Sequence, residues 1–548
     1  MKKWIIQDDY KNDSDLISQL LLSKGIENVQ TFLNPLSINE AFKTFPQDFK
    51  EALKKGAQLV HEFIQADKPI IIHGDYDADG ICSTAILFNF LKHELKYVKV
   101  FSFIPNRFEH GYGVSKKSVN AVLEKVCGEL GNEDAKEVLF ITVDSGITAV
   151  GEIDYIKSLG HKVIITDHHQ PPKNLPAANE IIWSDKLVGA GIAWLFARAL
   201  GSKDPQSLAL AALATVTDLQ PLLDFNRSLV KRGLEIINTN PPFGLAKLLD
   251  ITSWRGGEVT TYDLGWVIGP RLNASGRLVD AAESLRLLTE KDPLKVAEVA
   301  HKLNDINMER QDKTLEMYEF ASGIDSENLP KIIVSVSENY HEGISGLVAA
   351  KLVQNFFRPS IVISLNDGYG KGSVRSVHGV DIISILRRFE NLFESLGGHP
   401  MAAGFTIKHE NISVLQQELL KAAESEISDD LLCETLNIDL KIPLTEVSMA
   451  LVDDLDKLKP FGLGNEEPVF VSENVGLMDV SFMGKDKQHV ALKLYDQGKY
   501  YKAILFNGAE LVGDLVFGDK LDIVYTIKRN SFNGHESVDL ILKDFRRR

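Results

Sequence analysis

Three short segments of this chain concentrate side chains that can do hydrolytic chemistry. HGDYDADG carries His73, Asp75, Asp77 and Asp79, TVDSG carries Asp144, and TDHH carries His168 and His169. Carboxylate oxygens with a minority of imidazole nitrogens suit the harder divalent cations, Mn2+ or Mg2+, better than structural zinc. Two such ions about 3.5–4 Å apart can clamp both the attacking and the leaving oxygen of a phosphoester, provided one carboxylate bridges them. Asp144 is the natural bridge. Each segment also has a plainer reading. GDYDADG alone is as readily a calcium loop or a helix cap. Asp218, in ATVTDLQPL, can be a mere helix-terminal aspartate. Adjacent histidines in an extended segment face opposite sides, so only one of His168 and His169 need be a ligand.

The elements that must position these groups are short apolar runs. PIIIH, VLFITV and KVIIT read as buried parallel strands, with room between them for crossover helices. Each run ends directly on one of the polar segments, and in open α/β sheets ligands bind beyond the carboxyl ends of the strands. Three distant segments are therefore expected to meet in one crevice. The glycines of HGDYDADG let the backbone turn tightly there.

The rest of the chain divides by pattern. Residues 1–50 form a mainly helical lead-in to a catalytic core, and residues 51–240 hold the parallel-sheet domain. Residues 241–325 are a helical connector in which LKVAEVAHKLNDINMERQDKTLEMYEFA forms one long linking helix. Residues 326–425 read as a second, smaller α/β domain with strands KIIVSVS and SIVISL and the glycine-rich KGSVRS and GGHPMAAGF. Residues 426–548 change to short alternating strands with turns between them, which suggests a small β-barrel of the oligonucleotide-binding (OB) type. The fold class is α/β with that barrel appended.

Composition narrows the field. The 548 residues are 44% hydrophobic and 25% charged, values of a globular protein rather than a disordered one. A net charge of −16 speaks against indiscriminate polyanion binding, so any nucleic-acid contact must use a local basic groove. The opening MKKWIIQDDYKNDS reaches acidic residues before any apolar core of signal-peptide length, and no run suits a membrane span. A cytoplasmic protein without membrane attachment is expected. Cys82, Cys127 and Cys433 are scattered and lack CxxC spacing, which excludes a disulfide framework and predicts buried free thiols.

The order HGDYDADG, VDSG, TDHH, TVTDLQPL resembles the DHH phosphoesterase superfamily, and in particular its single-strand-specific exonucleases. PNRFEHGYG, VIGPRLNASGRL, HEGISGLVAAKL, KGSVRS and GGHPMAAGF extend the likeness in the same order over nearly the whole chain. The resemblance implies a DHH domain, a long linking helix, a DHHA1 domain and an OB-type barrel. It also implies a monomeric, two-ion enzyme releasing mononucleotides from the 5′ end of single-stranded DNA in repair and recombination. A RecQ-type helicase and a single-strand-binding protein are its implied partners.

By the same resemblance His73 and Asp77 hold one ion, Asp79, His168 and Asp218 the other, and Asp144 both. Asp75 and His169 support catalysis or face the substrate. Arg107, Ser373 and Arg375 bind the 5′-terminal phosphate, and Arg277 and His399 bind phosphates near the metals. Arginine's planar fork suits that role, although a surface ion pair is arginine's commonest fate. In the barrel, Phe482, Lys485, Lys487, His489, Tyr500, Tyr501 and Lys502 mix basic and aromatic groups, as strand-binding barrels do, and equally as core aromatics and solvated lysines would. The chain departs from the family in two places. The segment after TDHH is short, and Val374 stands where glycine is common, which a phosphate loop of positive φ would not tolerate. Two rival readings remain: a phosphodiesterase for short RNA or cyclic dinucleotides, and a non-catalytic nucleic-acid-binding factor.

Overall fold

The computed structural model describes residues 2–11, 15–111, 113–131, 135–252, 254, 256–325, 328–532 and 534–548, so that Tyr112 of the PNRFEHGYG motif lies outside the described residues. The chain forms two compact units: residues 1–42, 221–228 and 434–548, and residues 43–220 with 229–433. Strand β1 (Lys3–Asp9) and helix α1 (Leu16–Ser23) belong to the first unit. The second opens with helix α2 (Gln47–Gln65).

Five parallel strands follow: β2 (Ile70–His73), β3 (Val100–Phe103), β4 (Leu139–Val143), β5 (Lys162–Asp167) and β6 (Glu180–Trp183). Among the helices between and after them are α3 (Ala78–Asn89), α4 (Lys116–Leu130), α5 (Gly189–Leu200) and α6 (Gln206–Thr217). Strands β2 and β4 are wholly buried, as strands covered by helices on both faces must be, and this is why they read as unbroken apolar runs. The short strands VFSF and EIIW are only partly buried, and their apolar runs are too short to stand out in the sequence. The sheet order is β3-β2-β4-β5-β6. The chain steps from β2 to one side and continues from β4 to the other, so the crevice between the carboxyl ends of β2 and β4 is the topological switch point.

The second unit continues through a π-helical turn (Asp263–Ile268), α7 (Gly269–Leu278) and the long helix α8 (Pro293–Ala321). Asp292 caps α8, and Pro293 fits its first turn, where a missing N–H costs nothing. Strand β7 (Ile333–Ser337), helix α9 (Ser345–Phe356) and strands β8 (Ser360–Asn366), β9 (Tyr369–Arg375), β10 (Phe393–His399) and β11 (Ala402–Lys408) complete it. The order is β10-β11-β9-β8-β7, with β7 parallel to β8 and the rest antiparallel. KGSVRS is strand rather than phosphate loop. Val374 pairs with Ile361 and Ala403, has no positive φ and is fully buried in the sheet's core, so a β-branched residue suits it.

In the first unit β12 (Thr435–Lys441) leads to β13 (Phe470–Met483), β14 (His489–Asp496), β15 (Lys499–Leu505), β16 (Lys520–Phe532) and β17 (His535–Arg547). The order β13-β14-β15-β17-β16, with β13 also pairing β16, closes a five-stranded barrel. Strand β1 pairs parallel to β12. The start of the chain therefore extends the barrel's sheet, where the sequence suggests a lead-in to the catalytic core. Only Cys82 is buried among the cysteines, and Cys433 is exposed, which corrects the expectation of buried thiols. No described helix is long and apolar enough to cross a membrane.

Arg227 ties three segments of the first unit together. It is 1% exposed and donates to the carbonyls of Phe32, Lys457, Leu458 and Lys459, while its guanidinium sits 4.0 Å from the Phe32 ring centroid. Burial pushes it down to about 10. Arg227→Ala strands these buried acceptors, and we expect it to lower stability by about 2–4 kcal/mol. Urea unfolding followed by circular dichroism measures this. A loss below about 1 kcal/mol would mean water replaces the guanidinium without cost.

Candidate metal and phosphate site

His73 ends β2, Asp144 follows β4, and Asp167 ends β5, so the switch point gathers the three polar segments. His168 lies at their centre, with Nε2 3.1 Å from Asp144 Oδ1, 3.6 Å from Asp79 Oδ2 and 3.7 Å from Asp218 Oδ2. Three sets of donor atoms each fall within 4.8 Å: Asp75, Asp77 and Asp144; Asp79, His168 and Asp218; Asp144, His168 and His169. Asp144 belongs to the first and the third. Asp75 and His169, read as supporting groups, stand at ligand distance, whereas His73 is in none of these sets.

Several of the acids are helix-end residues as well. Asp77 caps α3 by accepting from the amides of Asp79 and Gly80, and Asp218 is the C-cap of α6. A cap uses part of a carboxylate's lone pairs and leaves the rest for a cation. Asp79 is held by the N-terminus of α5, where the amides of Gly189 and Ala190 donate to its two oxygens at 2.7 Å each. Asp144 has φ of 56°. A Cβ on Gly189 would stand 2.6 Å from the Cβ of Asp144, so only glycine fits there. Gly80 is similarly fixed, because a Cβ would stand 2.5 Å from the Asp75 carbonyl.

Four residues in this framework lie beyond the sequence reading: Gly189, Asn273, Ser118 and Asp167. Asn273 accepts from the Ala78 amide at 2.7 Å and so pins the start of α3. Asp167 accepts from the amides of His168 and His169 and from His169 Nδ1, and its other oxygen accepts from Ile147. These bonds turn the chain, so the two rings lie 4.6 Å apart rather than on opposite faces. The local signal for that turn is the aspartate directly before the histidine pair. The Asp167 hydrogen bond pushes His169 up to about 9, and against the cost of burial that same bond holds Asp167 below the usual carboxylate range.

The buried groups fit cations. Ser118 Oγ donates to the Ser115 carbonyl, so it accepts from His73 Nε2 at 3.0 Å. The proton of His73 is thereby placed on Nε2, and Nδ1 keeps a bare lone pair that is buried without a partner. Burial also pushes His73 down to about 4, keeping it neutral. Asp75 Oδ1 is likewise buried and unpaired. Burial and the Asp77 charge push Asp75 up to about 8, while burial and the charges of Asp79 and Asp77 push Asp218 up to about 8. Asp79 and Asp144 are raised for the same reasons. Carboxyl groups crowded in this way are ionised together only when positive charge is placed among them.

Arginines stand beside the acids. Arg107 lies 5.1 Å from the Tyr76 ring centroid, and Phe108 packs edge-on to His341. Gly343 approaches the Arg277 backbone so closely that a Cβ would stand 2.0 Å from its carbonyl oxygen. Arg375 reaches Gly346 at the start of α9. Arg107, Arg277 and Arg375 make no ion pair among the described residues. Burial, with repulsion from Arg107, pushes Arg277 down to about 10. Ser373 and Arg375 share one face of β9, opposite Val374. His399 lies in the same rung as Arg375 with Ala402 between them, and it is exposed.

In the barrel unit the candidate strand-binding residues divide. Phe482 and Tyr500 are exposed, with Lys493 over Tyr500 at 4.7 Å and Tyr495 beside it. Lys485 and Lys487 are exposed in the turn after β13. His489 packs against Phe506 and accepts from the Asn507 amide. Tyr501 packs on the core, and Lys502 is paired with Asp539.

A parallel sheet with its switch point ringed by aspartates and histidines, joined by a long helix to a second α/β sheet, defines a DHH phosphoesterase. Family models match in the same order: the DHH family N-terminal domain over residues 69–216, the DHHA1 domain over 329–429 and the RecJ OB domain over 438–544. The chain is 32% identical to the single-stranded-DNA-specific exonuclease RecJ of Bacillus subtilis strain 168, over 96% of this chain and 67% of that one. It superposes on the crystal structure of RecJ with Mn2+ from Thermus thermophilus with a TM-score of 0.82 at 26% identity, over 99% of this chain and 79% of that one. The Mg2+ complex of the same protein gives 0.75 at 25% identity, over 99% and 78%. The chain belongs to the RecJ family.

Gly189→Ala pushes a methyl group into Asp144 while disturbing the amides that hold Asp79. We expect hydrolysis to fall at least about 100-fold with the fold intact by circular dichroism. Activity within twofold of the parent would show that the site relaxes around the methyl group.

Proposed function

We propose that the chain hydrolyses single-stranded DNA from its 5′ end to mononucleotides, in DNA repair and recombination. The observation that carries this reading is the set of three donor clusters around His168 and Asp144, flanked by arginines that make no ion pair among the described residues. His73 and Asp77 would hold one ion, Asp79, His168 and Asp218 the other, and Asp144 both. The cofactors are Mn2+ or Mg2+, which when bound supply a nucleophile at neutral pH and neutralise charge on the phosphate under attack.

The chain's own residues do the rest. Asp167 orients His169 and favours its charged form, whose Nε2 carries a proton for the leaving 3′ oxygen, and Asp75 supports the site beside Asp77 and Asp144. Arg277 and His399 place the phosphate next to the ions. Arg107, Ser373 and Arg375 receive the 5′-terminal phosphate, and Gly404 and Gly397, in the same rung as Ser373, leave that face of the sheet open to it. The exposed aromatics and lysines of the barrel bind the strand further along. A RecQ-type helicase and a single-strand-binding protein would supply single strands to this monomeric, cytoplasmic enzyme.

The purified chain with Mn2+ or Mg2+ is given 5′-labelled single strands, duplexes, short RNA and cyclic dinucleotides. Release of labelled mononucleotide from single-stranded DNA is expected, and activity confined to cyclic dinucleotides contradicts the proposal. Asp144→Ala is expected to abolish turnover on every substrate, a loss of at least about 1000-fold, in a folded protein. Retained turnover removes Asp144 from the bridging role.

A further inference from the structure

The candidate site so far ends at Arg277, but the cations do not. Helix α8 carries Asn304, Asn307 and Arg310 three residues apart on one face, where Arg310 Nε donates to Asn307 Oδ1 at 3.2 Å. Across from them on α7, Arg271 Nε donates to Asn304 Oδ1 at 3.1 Å. Neither arginine meets a carboxylate among the described residues, and burial and the Arg271 charge push Arg310 below its ordinary value. Arg310 in turn lies within electrostatic reach of Arg277. In a protein of net charge −16, three half-buried guanidiniums, with Arg310 repelled by Arg271 and repelling Arg277, that make no ion pair among the described residues suit an anionic chain better than they serve a stabilising network.

The far end of this row of arginines is aromatic. Arg271 Nη1 donates to the Val267 carbonyl at 2.6 Å, so its guanidinium folds back onto the π-helical turn that carries Tyr262 and Trp266 at its start and centre. Those two rings stack on each other at 6.4 Å and 26°, yet they are 66% and 73% exposed. The turn is docked on the end of α6, where Gly265 meets Val216 and Gly269 meets Thr217, the residue before Asp218. At the other end of α7, Gly276 meets Tyr76, beside Arg107. Helix α7 therefore runs about 15 Å, from Tyr76 and Arg107 at one side of the acid cluster to Thr217, next to Asp218, at the other.

We propose that Arg310, Arg271 and the Trp266–Tyr262 pair form a track for the nucleotides on the 3′ side of the scissile bond, the arginines taking phosphates and the rings taking bases. Stacking on exposed rings is tolerant of base identity, as an enzyme that consumes a strand base by base requires. The track rests on the single-strand reading of the site and extends it to several nucleotides beyond the metals.

The test uses the full chain with Mn2+ on a 5′-phosphorylated dinucleotide, too short to reach the track, a single strand of about 20 nucleotides, and that strand made abasic beyond its second nucleotide. The quantity read is the ratio of kcat/KM on the long strand to kcat/KM on the dinucleotide, which is independent of the folded fraction of each preparation. Trp266→Ala and Arg310→Gln are each expected to lower that ratio at least about fivefold, and Trp266→Ala to shrink the parent's preference for the normal strand over the abasic one. Arg310→Gln is also expected to reduce the salt dependence of strand binding by roughly 0.7 in the log–log slope, one phosphate's worth. Ratios unchanged in both variants, in a parent that cleaves single strands, overturn the track alone. A parent that cleaves no single strand overturns the functional reading with it.

Discussion

Mutual repulsion among buried carboxylates is the constraint on which the rest of this structure depends. Asp75, Asp79 and Asp144 are almost wholly buried, with Asp77 and Asp218 beside them, and burial together with like charge raises the acids furthest inside. Holding them at ligand distance costs folding energy that cations recover on binding. The framework is built to bear that cost. Two helix N-termini point at the cluster, α3 at Asp77 and α5 at Asp79, and each offers backbone N–H groups and a favourable dipole to negative charge. A left-handed Asp144 and the two close-packed glycines show how little freedom is left.

The positive charge of the chain is arranged with the same economy. Net charge is −16, yet Arg107, Arg277 and Arg375 are kept out of ion pairs among the described residues. Elsewhere arginines are neutralised, as Arg529 is by Asp453, Asp456 and Glu536, or, like Arg227, spent on backbone carbonyls. In a chain of net negative charge, unpaired guanidiniums beside the acid cluster favour an anionic ligand placed there over general adhesion to polyanions.

Much of this is legible in the sequence, for identifiable reasons. The strands β2, β4 and β5 are apolar runs because both faces are covered, and each ends on its polar segment. The linking helix is periodic over its whole length, and the barrel strands alternate because one face is wet. What stays hidden depends on contacts between distant residues. Nothing in Gly189, Asn273 or Ser118 marks them locally as partners of Asp144, Ala78 and His73. The pairing of β1 with β12 joins residues 3–9 to residues 435–441, beyond any local pattern. Val374 looks like a defect only while KGSVRS is taken for a glycine loop rather than a strand, and the histidine pair looks divided until the turn imposed by Asp167 is known.

The central claim is that the acids at the switch point are gathered around two cations sharing Asp144. Anomalous diffraction from crystals of the chain grown with Mn2+ tests it most directly. Two peaks about 3.5–4 Å apart, with an Asp144 oxygen on each and His168 on one, are expected. A single peak, or two peaks with Asp144 bound to neither, would contradict the account.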